Sequence, residues 1–183
     1  MSAMTGREIV LMVLRNIGED TDETTYGEYE EEILCAVNEA YQEICAHRYL
    51  PRREAEVELG PEGEDRIEEN LLPRDVMKIM EIRDEMGRGV GFLHKEGSVV
   101  LKRKCRHVFV NYVYRPEDIT AQTEPILPKE YHAALSDYGA FRLMIPGGKQ
   151  RQARADLFYA NYARVMGRIT PMEDRRKFVG MYR

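Results

Sequence analysis

Nowhere in its 183 residues does this chain run uncharged and apolar for the roughly 18 positions that a membrane-spanning helix requires. The apolar stretch near the start, Met1 to Leu14, contains Arg7 and Glu8, and no small-residue cleavage site follows it, so the sequence predicts no signal peptide and a chain that stays in the cytoplasm. Cysteine is scarce: Cys35, Cys45 and Cys105 are odd in number and unpaired in spacing, which predicts reduced thiols and no disulfide framework. No internal repeat stands out, which argues against a solenoid or propeller. There is no excess of positive charge either. The net charge of −5 argues against a module that reads DNA or RNA directly.

What is present is a globular composition, 43% hydrophobic and 32% charged, enough for one domain with a substantial core. The charge is unevenly spread. Residues 1 to 99 hold 24 acidic and 11 basic side chains, a net of −13, whereas residues 100 to 183 hold 8 acidic and 16 basic, a net of +8. Such a dipole in sequence is either two solvated faces of one sign each or a pair of faces on which copies or partners dock.

Local patterns predict helices at both ends of the chain. Thr5-Gly6-Arg7-Glu8 is a capping box opening a helix over 5–17, with Val10, Val13, Leu14 and Ile17 on one face and Gly18 as its stop. Thr25-Tyr26-Gly27-Glu28 repeats that signature ahead of a helix over 26–49, whose stripe runs through Ile33, Val37, Ala40 and Ile44. Glu28, Glu30, Glu31 and Glu32 crowd its first turns, where the helix dipole favours carboxylates. From Arg52 the period changes to two, Ala55, Val57 and Leu59 alternating with glutamates, and four more short strands follow across 52–115 around an acidic loop, Gly60 to Asn70. Pro128 opens a helix over 128–145, Pro146-Gly147-Gly148 breaks it, and a helix over 149–169 carries Ala153, Leu157, Phe158, Tyr162, Val165, Met166 and Ile169 on its apolar side. A basic tail, 171–183, comes after Thr170. The expected architecture is α+β, mainly α: a four-helix bundle from both termini, an inserted small antiparallel β-sheet and a C-terminal tail, residues 1–170 making one domain with a protrusion.

No reactive constellation emerges. Cys45-Ala46-His47 and Cys105-Arg106-His107 have ligand types that suit zinc, but residues two apart on a helix diverge by about 200°, and only the second pair, on a strand, would share a face. Core cysteines and surface histidines are the simpler reading. Gly87, Gly89 and Gly91 sit between strands with no helix or Lys-Ser/Thr pair after them, as in a hairpin turn and unlike a phosphate loop. Lys102-Arg103-Lys104-Cys105-Arg106-His107 is the best stretch for a nucleic-acid contact.

The order of motifs resembles the head-to-tail adaptor (connector) proteins of tailed bacteriophages. Ile33-Leu34 followed by Asn38-Glu39-Ala40-Tyr41 is similar to their second helix. Leu71-Leu72-Pro73-Arg74-Asp75-Val76-Met77-Lys78-Ile79 resembles the Leu-Pro-x-Asp lead into their central strands. Tyr112-Val113-Tyr114-Arg115-Pro116 resembles their last strand, and Leu127-Pro128-Lys129-Glu130-Tyr131-His132-Ala133-Ala134-Leu135 the opening of their third helix. The resemblance implies a structural virion protein and no enzyme, without cofactor or metal. It implies a homo-oligomeric ring, commonly of twelve copies, free subunits being monomers, that joins portal protein to tail or tail-completion protein while DNA passes through its channel without sequence-specific binding or membrane contact. Assembly would take place in the host cytoplasm and the product would reside in the virion. Under it, the tail residues Arg175, Arg176, Lys177, Phe178, Tyr182 and Arg183 are candidates for docking on the portal, and Glu28, Glu30, Glu31 and Glu32 for lining the channel, where negative charge would let DNA slide. A non-catalytic helical interaction or nucleic-acid-associated protein is the alternative, and an enzyme with a dispersed site comes third.

Overall fold

In the computed structural model the described residues are 3–170, and they form two compact units. One is helical and is built from residues 3–49 and 116–170. The other, Leu50–Arg115, is β-rich.

The helical unit contains α1 (Gly6–Ile17), α2 (Glu23–Ile44), α3 (His132–Met144) and α4 (Lys149–Met166). Thr5 caps α1 as its spacing predicts, its hydroxyl accepting from the Glu8 amide while the Glu8 carboxylate accepts from the Thr5 amide, and Gly18 ends the helix at φ 85°. For α2 the expected cap is three residues too late. Asp22 caps it, accepting from the amides of Thr24 and Thr25, and the Thr25 hydroxyl donates back to Asp22. Those amides hold the Asp22 carboxyl below its usual range. The regular helix stops at Ile44, and Cys45–Tyr49 form one π-helical turn where a continuous helix to 49 was expected. Lys129–Tyr131 are a 3-10 turn, so α3 proper starts at His132 and not at Pro128.

The four-helix bundle expected from the termini is not what forms. In chain order the helices are split by two sheets, and within the helical unit α3 packs on each of the other three, whereas the substantial packing of α4 is with α3 alone. The physical reason lies in the narrow apolar stripe of α4. It buries only Ala155, Tyr162 and Met166, while Ala153 and Leu157, expected in the core, are exposed, Leu157 by 67%. Basic residues occupy its first turn and Gly148 supplies no side-chain cap, so packing must hold it in place. An aromatic run does this, with Tyr138 and Tyr162 ring centroids 4.9 Å apart and Phe141 and Tyr159 4.8 Å apart.

At the top of α3, His132 is 1% exposed and fully paired: its Nδ1 accepts from the Met4 amide at 3.0 Å, and its Nε2 donates to the Leu127 carbonyl at 2.8 Å. The segment 116–127 returns along α2 and reaches α1. There Gly6 lies so close to the Thr120 carbonyl that a Cβ would come within 2.1 Å of its oxygen.

The β unit has two three-stranded antiparallel sheets where one was expected. β1 (Arg52–Glu58), β6 (His107–Tyr114) and β3 (Val76–Asp84) form the first in the order β1-β6-β3; β2 (Glu64–Glu68), β5 (Ser98–Cys105) and β4 (Phe92–Lys95) form the second in the order β2-β5-β4. Their buried faces share one core, Val57, Ile82, Val108 and Val110 from the first with Ile67, Val99 and Leu101 from the second. The acidic segment read as a loop contains β2, where Ile67 alone is buried and pairs with Val99. In β3, Ile79 and Ile82 are three apart, a spacing that points to opposite faces of a regular strand. A register shift between Ile79 and Glu81 brings both to the core. The glycine-bearing segment is a turn, as expected. Asp84 accepts from the amides of Met86 and Arg88, and Gly87 has φ 74°. Beyond it the chain passes from one sheet to the other at Gly91, packed against the Lys102 side chain.

Candidate functional site

The helical unit presents two charged faces. On α2, residues 28, 31, 32, 35 and 39 recur at helical spacing opposite the core stripe. With Ala36, and with Arg142 and Leu143 from α3, they line an open groove of about 470 Å³. Arg142 bonds the Glu39 carboxylate and also the Tyr138 hydroxyl at 3.2 Å, which pins one wall. Glu28, Glu31 and Glu32 are exposed and form no ion pair among the described residues. Glu30 differs from these three. It is half-buried, and its carboxylate accepts from the Tyr26 hydroxyl at 2.8 Å. Burial, reinforced by that carboxylate, pushes the Tyr26 phenol up to about 12. Of the four glutamates marked as channel candidates, the structure therefore groups three on one open surface and commits the fourth to its own helix.

The second face is the outside of α4. Leu157 stands there with Arg154 and Arg164, while Tyr159, 47% exposed, turns its ring to Phe141 of α3. Arg154 donates to the Asn16 carbonyl at 3.0 Å, and Arg151 lies 4.0 Å from Glu19. Sequence periodicity placed Leu157 inside and so missed this surface. The portal-docking candidates Arg175, Arg176, Lys177, Phe178, Tyr182 and Arg183 lie outside the described residues.

In the β unit, the basic run surrounds a polar hollow of about 260 Å³ lined by Arg88, Arg103, Lys104, Arg106 and His107 with Asp84, Glu62 and Glu85. Asp84, 6% exposed, ties Arg88 at 3.0 Å and Arg103 at 2.6 Å. Burial pushes its carboxyl up, but the Arg88 amide and the two guanidinium groups together hold it below the ordinary value. One carboxylate thus holds two of the cations and offsets one of their two charges. Cys105 and His107 do not share a strand, since Arg106 separates β5 from β6, and the imidazole lies against Glu56 at 3.0 Å and Glu58 at 3.4 Å. Cys45 is fully buried and burial pushes its thiol up to about 12, which makes it a poor nucleophile at neutral pH. Among the described residues no group of three or more His, Cys, Asp and Glu side chains could hold a metal. No helix there is long and apolar enough to cross a membrane.

One carboxyl is out of its normal range without any such set around it. Asp137 on α3 is raised to about 6 by burial, which the neighbouring Arg164 only partly offsets. Among the described residues Arg164 is the one charge that shifts it, and the raised value makes folding stability depend on pH. No protein-family model matches the chain, and no curated protein matches it either.

Proposed function

We propose that this chain is a structural subunit of a tailed-phage virion, a head-to-tail adaptor that assembles as a ring between portal protein and tail or tail-completion protein, and that performs no chemistry. One observation carries the reading: the segments that resemble the adaptor family fall at the junctions of the fold. Asn38 and Gln42 of α2 hold the returning segment 116–119 through hydrogen bonds of 2.7 to 3.0 Å. Tyr112 to Pro116 is where the last strand leaves the β unit, and Leu127 with His132 fixes the start of α3. These residues shape a frame on which surfaces are displayed, and the charged faces of α2 and α4 are two such surfaces.

The test is assembly. Purified chain is examined by sedimentation and negative-stain microscopy, alone and mixed with portal rings from the same genome. A closed ring seated on the portal is expected. A chain that leaves the portal bare, or that turns over a small molecule, overturns the reading.

A second reading, a non-catalytic nucleic-acid-associated protein, is favoured by the hollow bearing Lys104 and Arg106, which are not engaged by Asp84. It requires DNA or RNA affinity that falls steeply with salt and with Lys104→Glu and Arg106→Glu.

A further inference from the structure

We propose that copies of this chain bind one another head to tail, the outer face of α4 of one copy seating on the α2–α3 groove of the next. The contact rests on the adaptor reading only for its closure into a ring. It removes Glu28, Glu31 and Glu32 from the channel wall and gives them to the junction between copies.

Charge selects the pairing. Residues 23–44 hold seven glutamates and neither lysine nor arginine, while residues 149–168 hold five basic side chains and one acid, Asp156. Two α2 faces, or two α4 faces, would set like charges against each other, which disfavours a two-fold contact of either face with itself. Only the mixed contact brings opposite signs together, and because the two faces belong to different helices it is heterologous. Apolar chemistry agrees with this choice. Leu157 is the most exposed large apolar side chain among the described residues of the helical unit at 67%, and Arg154 and Arg164 lie three and seven residues from it, on its own face of α4. The groove offers the converse, an apolar floor of Cys35, Ala36 and Leu143 rimmed by Glu28, Glu31 and Glu32, which have no ion-pair partner among the described residues. A leucine desolvated at the centre with arginines reaching a carboxylate rim is the arrangement that concentrates binding energy in few residues.

Cys35 makes the contact measurable. It lines the groove and is exposed, whereas Cys45 and Cys105 are buried. Full-length L157C, treated with a short bismaleimide, is expected to give a ladder of dimer, trimer and higher products, with dimer on the order of tenfold above that of M86C, an exposed control in the β unit, because docking raises the local thiol concentration. The ladder should vanish in L157C/C35A and shrink in E28K/E32K/L157C and at high salt. Cross-linking of L157C no better than M86C overturns the proposal. So does K177C reacting with Cys35 where L157C does not, which would assign the groove to the basic tail. Portal binding by the same variants is scored separately: a ladder without portal binding keeps the contact and removes the adaptor reading, and portal binding without a ladder does the reverse.

Discussion

The Asn38 side chain reads both backbone groups of Ile119, accepting from its amide at 2.7 Å and donating to its carbonyl at 3.0 Å. Eighty-one positions separate the two residues in the chain, so this bond closes a long loop and binds the segment returning from the β unit to the middle of α2. Ile119 is 3% exposed, and its backbone groups have little access to water in exchange. Asn38→Ala should therefore cost roughly 2–6 kcal/mol, at about 1–3 kcal/mol for each of the two buried groups left unpaired. Asn38→Asp, which still accepts but no longer donates, should fall between. Urea unfolding midpoints of the three proteins check the order.

Gly6 and Gly27 are both helical and should respond to alanine with opposite signs. At Gly6 the new methyl would press on the Thr120 carbonyl, which itself sits where the amides of Gly6 and Arg7 donate to Thr123 and Ala121 at 2.9 Å. Backbone would have to move, and overpacking costs about 1–3 kcal/mol. At Gly27 nothing lies within 4 Å, so alanine should stabilise by about 0.5–1 kcal/mol through helix propensity alone. Thermal melts of G6A and G27A moving in the same direction would contradict this account.

Asp137 and Asp84 should make stability depend on pH in opposite senses. The Asp137 carboxyl is raised from 3.8 to about 6, so the folded protein holds its proton more tightly than the unfolded chain does. Its contribution is complete below about pH 4 and is lost as pH rises through about 6. Asn at 137 should raise the melting temperature at pH 7 and change it little at pH 4. For Asp84 the folded value is depressed, so its contribution is present above its unfolded value near 3.8 and is lost as pH falls. Asp84→Asn should lower the melting temperature at pH 7 and speed amide exchange at Met86 and Arg88, whose N–H groups the carboxylate accepts from.

Leu157 and Leu135 offer the test of which apolar residues hold the helical unit together. Leu135 is fully buried in α3 and Leu157 stands in solvent on α4. Truncating Leu135 to alanine should cost about 2–5 kcal/mol, whereas Leu157→Ser should stay within about 0.5 kcal/mol of the parent. A large loss from Leu157→Ser would place that side chain in a core and take it away from the docking face.

Features that depend on a few neighbouring residues were determined by the sequence alone. The Thr5–Glu8 box, the Gly18 stop and the alternation that buries Val57 all follow from local bonding and local period. The cap of α2 is the local case that went astray, because Thr25 fits the pattern as well as Asp22 does, and only the bonds to Thr24 and Thr25 distinguish them. β2 was hidden because four of its five side chains are charged and exposed or polar, and Ile67 acquires its burial from Val99 and not from any period of its own.

Tertiary structure decided what no local pattern encodes. Whether six strands pair as one sheet or two depends on which distant edges meet, and the register shift in β3 reversed the parity by which Ile79 and Ile82 would have been assigned. The same holds for α4, whose sequence offers two apolar stripes, one through Ala155, Tyr162 and Met166 and one through Ala153 and Leu157. The aromatic contacts of α3 select the first. Helix periodicity tells which residues share a side, but a neighbouring element determines which side is covered, and the surface left over is the one available for a partner.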